Sequence, residues 1–209
     1  MELLGDKVKE EETEEGMQQD EDEHEDEKEY DEHVWMSLKN AVFYCNSIAD
    51  AICRLDEKNA DVYCSNTDAY CQQLEKLNSE YQQAVDASAQ KTLLFGDRFP
   101  FRYLTDDYDL KYYAAFAGCS AETAASFETI IFLSGKADEL GLKAILKTEG
   151  SDGAVANTVR ENTKNKDQKI LTLDSMQSVT SEDIRNGTTY LSVMKNNLKI
   201  INHEKNGSK

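Results

Sequence analysis

An acidic run ends in a histidine and a tryptophan: residues 29–40 read EYDEHVWMSLKN. A neutral imidazole fixed beside a rigid element is the commonest protein ligand for a transition metal. His33 is therefore a candidate metal ligand, and the acids before it form either a plain solvated arm or an ion-gathering one. His24, inside DEHEDE, falls within the mobile part of such an arm, where metal binding is weak and transient. Further carboxylates sit just after short apolar runs: Asp97 in FGDR, Glu149 in KTEGSD and Asp174 in TLDS. Carboxylates converging on one rim repel each other unless a cation or an arginine neutralises them. Arg98 is the internal candidate for that role. Asp97 and Asp174 also suit helix starts, whereas Glu is a poor N-cap, which makes Glu149 the stronger metal candidate. Cys119 and Glu122 follow the one remaining apolar run. Cys119 could act as a nucleophile, but no histidine lies near it in sequence, and a small buried residue beside Gly118 is the competing reading.

These residues need elements to position them. Leu38, Val42, Cys45, Ala49 and Ile52 recur at three- and four-residue steps, predicting a helix over residues 37–55. A second stripe, Tyr63, Tyr70, Leu74, Leu77, Tyr81 and Val85, runs to about Asp86 without Pro or Gly. That predicts a backbone helix on the order of 40 Å long, able to act as a strut. After Ala89 come four short apolar runs, KTLLF, KYYAAF, KAILK and KILTL, each followed by a helix-length segment. Strands alternating with helices predict an α/β fold: a four-stranded parallel sheet with flanking helices, preceded by the two helices. The later helices are expected over residues 99–108, 123–140, 153–163 and 188–202, with Gly141 ending the second of them. In such a sheet ligands bind outside the carboxyl ends of the strands, which is where Asp97, Cys119, Glu149 and Asp174 would line up.

Charge divides the chain. Of the net −18 over 209 residues, residues 1–33 contribute −14, from 17 acids and three lysines. Such a segment has little apolar surface to offset the entropy of ordering, so disorder is expected for residues 1–33. It also repels nucleic acid. The helical segment spans 34–89 and the C-terminal α/β lobe 90–205, together roughly 175 residues and enough for one core. No long uncharged apolar run predicts insertion into a membrane, and the opening MELLGDKVKEEE lacks a basic n-region followed by an apolar h-region. Five cysteines, an odd number with no CxxC, leave the redox compartment open.

The sequence resembles a known family, the metal-binding subunits of bacterial zinc and manganese ABC importers, and within it a clostridial-type branch. The likeness runs in order through DEHVWMSLKNA, LEKLNSEYQQAV, LLFGDRFPFRYLTDDYDL, AAFAGCSAETAASFETIIFL, ILKTEG and TYLSVMKNNL. It covers nearly everything after Tyr30. The resemblance implies two α/β lobes joined by a long backbone helix with metal in the cleft, of which this chain would supply the helix and the C-terminal lobe. The N-terminal lobe, export signal and lipid-bearing cysteine would then be missing. Full-length relatives would sit at the cell surface, and the chain as written would be cytoplasmic if expressed so.

Residue by residue, the resemblance implies that His33 is a metal-ligating histidine and that Glu149 occupies the place of the last carboxylate ligand. The family's H-D-x-F histidine falls at Gly96 in GDRF; Asp97 remains, as a weaker candidate, but the imidazole does not. The implied function is a binding protein, not an enzyme, that captures Zn2+ (Mn2+ second) for an ABC permease and its ATPase. A cytosolic acidic-tailed interaction module is the alternative. A thiol enzyme using Cys119, Glu122 and Glu149 is further off, with no G-x-S-x-G elbow or P-loop to support it.

Overall fold

The computed structural model describes residues 8–10, 13–18, 30–118, 120 and 124–206. After a 3-10 turn at Val34–Met36, Ser37 caps helix α1 (Leu38–Leu55) by accepting the Asn40 N–H at 3.0 Å. Helix α2 (Ala60–Asp86) follows a short 3-10 turn and folds back along α1. Its 27 residues make it about 40 Å long. The strut expected from the sequence is present. It is held mainly through its second half, where Leu74, Leu77, Tyr81 and Val85 are buried and the Tyr81 hydroxyl donates to the Met194 carbonyl at 2.6 Å.

The rest alternates strand and helix: β1 (Thr92–Arg98), α3 (Arg102–Asp107), β2 (Lys111–Phe116), α4 (Phe127–Leu140), β3 (Ala144–Thr148), α5 (Ala154–Asn162), β4 (Lys169–Leu173), α6 (Ser181–Arg185) and α7 (Tyr190–Asn206). The strands form one parallel sheet in the order β2-β1-β3-β4. β1 is buried along nearly its whole length, as a central strand covered on both faces must be. Successive side chains serve opposite layers. Leu93 and Phe95 join the core built with α2, α3 and α7, while Leu94 joins the one built with α4 and α5.

Element boundaries shift for identifiable reasons. α3 starts at Arg102 instead of Phe99, because the residue before Pro100 is pushed towards extended backbone. α4 starts at Phe127, where Ser126 accepts the Thr129 N–H. Gly141 closes it in the left-handed conformation, φ 63°, as the sequence predicts. The short helix α6 was not expected, although Thr180 and Asp183 form a full capping box there.

The described parts of the acidic segment, residues 8–10, 13–18 and 30–33, contact the lobe. Glu10 bridges Tyr30, the Asp31 N–H donates to the Lys9 carbonyl at 2.9 Å, and Lys9 pairs with Asp106. The Gln18 N–H donates to the Ala115 carbonyl at 2.9 Å, on the outer edge of β2. Most of these contacts are made by main-chain groups, which composition does not report.

Candidate metal centre

His33 is fully buried, on the turn leading into α1. Asp31 fixes its ring: one carboxylate oxygen accepts from the His33 main-chain N–H at 2.8 Å and from Nδ1 at 2.9 Å. An ionised carboxylate only accepts, so Nδ1 carries the hydrogen and Nε2 presents the lone pair. This carboxylate–histidine pairing is the arrangement that orients metal-ligating imidazoles. Asp31 is in turn anchored by the Tyr103 hydroxyl, which donates to its carbonyl at 2.8 Å. Trp35, edge-on to His33 with ring centres 5.4 Å apart, donates from Nε1 to the Ser175 carbonyl at 2.9 Å. Gly118 closes the other side: a Cβ there would lie 3.0 Å from the Phe99 carbonyl and 3.2 Å from His33 Cε1.

The loop after β4 meets this histidine. The Gln177 side-chain amide nitrogen lies 2.6 Å from His33 Nε2, and with Nδ1 protonated the amide is the donor. Glu149, at the end of β3, holds the same loop: its carboxylate accepts from the Ser175 N–H at 2.7 Å, the Ser175 hydroxyl at 2.7 Å and the Gln177 N–H at 2.9 Å. His33 and Glu149 thus belong to one network with Gln177 between them. Asp174, in the same loop, accepts the Met176 N–H at 2.8 Å. Burial pushes its carboxyl above the usual range, and the neighbouring Glu149 and Asp183 charges add to the shift.

Asp97 is engaged elsewhere. One of its oxygens accepts the Arg98 N–H at 2.8 Å, and the other accepts the Thr148 N–H and hydroxyl at 3.0 and 3.1 Å. It braces β1 to β3 where the β1–β2 register shifts between Phe95 and Arg98. Among the described residues no group of three His, Cys, Asp or Glu side chains converges as a metal cluster would. Of the expected set His33, Glu149 and Asp97, the first two share one network through Gln177 and Asp97 sits between β1 and β3. Gly96 leaves no room for a side chain, since a Cβ would stand 2.4 Å from Ala156 Cα. An imidazole at that position is excluded by the packing of α5. Arg98 Nη1 donates to the Ser120 carbonyl at 3.4 Å. His24, Cys119 and Glu122 lie outside the described residues. Sequence reasoning missed Asp31 and Gln177; the D-x-H spacing signalled the first, and nothing signalled a neutral amide.

The fold is that of the ZnuA-like domains. Residues 2–204 match the profile of the zinc-uptake complex component A, periplasmic (ZnuA), and the chain belongs to that family. It is 30% identical over 173 residues to the zinc-binding lipoprotein AdcA of Streptococcus pneumoniae, covering 83% of this chain and 34% of AdcA. It is 28% identical over 172 residues to the manganese ABC transporter substrate-binding lipoprotein PsaA of the same species, covering 82% of this chain and 54% of PsaA. The chain thus spans about a third and about half of these relatives. The Zn(II)-bound ZnuA-like domain of S. pneumoniae AdcA superposes with a TM-score of 0.68 at 27% identity, over 84% of this chain and 64% of that one. The metal-dependent lipoprotein YcdH of Bacillus subtilis gives 0.71 at 25%, over 84% and 64%. No helix among the described residues is long and apolar enough to cross a membrane.

Proposed function

We propose that this chain is a metal-capturing unit of an ABC importer, binding zinc first and manganese second and handing the ion to a permease driven by its ATPase. The carrying observation is the His33 ring: clamped by Asp31 through Nδ1 and held at Nε2 by the neutral Gln177 amide. Metal substrate replaces that amide hydrogen bond at Nε2. Glu149 is the second donor, reached when the 174–178 loop loosens, and water completes the shell. A closed zinc site has four ligands, so two protein donors give a weak, open site. Asp97 is assigned to bracing the strand ends. The names of the relatives, zinc-binding for AdcA and manganese transporter component for PsaA, support this order of metals.

The test is a calorimetric zinc titration of the full chain at neutral and at mildly acidic pH. His33→Ala is expected to weaken binding at least tenfold, Asp31→Asn by about 10–100-fold as for other orienting partners, and Glu149→Gln by less. Acid weakens wild-type binding, because the ligands must be deprotonated. Equal affinities for the wild type and His33→Ala would mean that the acidic run, not this histidine, holds the ion.

A further inference from the structure

Cys45 and Cys53 lie on α1 and Cys64 and Cys71 on α2, and none takes part in the network around His33. Where the two helices fold back on each other the thiols meet in pairs. Cys53 Sγ lies 3.6 Å from Cys64 Sγ, and Cys45 shares a side-chain hydrogen bond with Cys71. The four do not gather into one cluster that could hold a metal.

We propose that Cys53 and Cys64 form an intrachain disulfide, a covalent staple at the closed end of the α1–α2 hairpin. Sulfurs already in contact reach the bonding distance of about 2.05 Å by small side-chain rotations. Access favours this pair: Cys64 is exposed and Cys53 half-buried, whereas Cys71 is only 7% exposed. Cys64, the more exposed of the two, is the first attacker. The oxidant is a low-molecular-weight disulfide. The Cys64 thiolate attacks one of its sulfurs and expels a small thiolate; the Cys53 thiolate then attacks Cys64 Sγ in the mixed disulfide and expels the second. The two cysteine sulfurs are oxidised, the small disulfide is reduced to two thiols, and the cysteine protons end on those thiols. The Cys45–Cys71 pair, with Cys71 buried, reacts more slowly. This inference does not depend on the metal reading.

The test uses the full chain in an oxidised-glutathione buffer, with a chelator present so that no metal holds the thiolates. Free thiols fall from five to three, and the intact mass drops by two hydrogens. Trypsin alone leaves Cys45 with Cys53 and Cys64 with Cys71, so an aspartate-specific protease is added to cut at Asp50 and Asp68 and separate them. A Cys53–Cys64 linked pair of peptides, abolished in both Cys53→Ser and Cys64→Ser, is the expected result. A persistent glutathione adduct on Cys64 without an internal bond, a linkage confined to Cys45–Cys71, or five thiols retained would each overturn the proposal. Circular dichroism of both serine variants should match the wild type, which separates loss of the bond from loss of the fold.

Discussion

Where the strands end, polar groups are buried and matched: His33 and Ser175 have no exposed surface, Asp97 is 7% exposed, and their donors and acceptors meet named partners. At the closed end of the α1–α2 hairpin the opposite holds. Leu55 is 88%, Ile48 57% and Val62 56% exposed, beside a shallow apolar groove that includes Ile52, Tyr63 and Tyr70. The first region is ordered by specific hydrogen bonds over a packed core, and the second by one helix leaning on another. Apolar character in the sequence therefore does not measure contribution to stability; burial does.

That contrast can be broken most directly by truncating one side chain from each region. Leu74→Ala, at a fully buried position in the second half of α2, should cost about 2–5 kcal/mol, while Leu55→Ala should fall within about 0.5 kcal/mol, both by urea denaturation. Comparable losses would mean that the hairpin end is covered in solution. Next in size is Asp97→Ala, which leaves the buried Thr148 N–H without its acceptor and should cost roughly 1–3 kcal/mol. An unchanged midpoint would remove Asp97 from its bracing role and return it to the list of metal candidates. Ser37→Ala, losing the α1 cap, should cost about 1 kcal/mol.

The smallest effect concerns Asp183. Hydrogen bonds from the Thr180 hydroxyl and N–H hold its carboxyl below the usual range. A depressed carboxyl stabilises the fold above its unfolded value, and that contribution disappears as pH falls through the folded value. Asp183→Asn should therefore lower Tm slightly at neutral pH and leave it unchanged in strong acid. An equal deficit at both pH values would point to shape, not charge, in the α6 cap.

The sequence carried the repeating elements well, because periodicity reports burial directly. KYYAAF and KILTL became β2 and β4 residue for residue, and Gly141 stops α4 as its type predicts. The candidate site was less legible. His33 stood out by its type, but its partners come from a residue two positions back and from a loop 144 residues away. Glu149 and Asp97 looked alike as carboxylates at strand ends; only the surrounding donors separate them, one facing the β4 loop and the other pinned between strands. Docking of the arm was hidden for a similar reason. Net charge describes its average side chain, whereas the contacts run largely through main-chain groups of Lys9, Glu10, Gln18 and Asp31.

The Gln18 contact has a consequence for association. β2 is an edge strand, and the outward backbone groups of such a strand are a template onto which a strand from another molecule can add. Gln18 occupies the Ala115 carbonyl on that edge and, through its side chain, the Ser126 N–H at the start of α4. Any incoming strand must displace this plug and approach a segment whose residues 1–33 carry −14. The arm thus guards the sheet against edge-to-edge aggregation, and chains deprived of it should self-associate at lower concentration, an effect visible by light scattering.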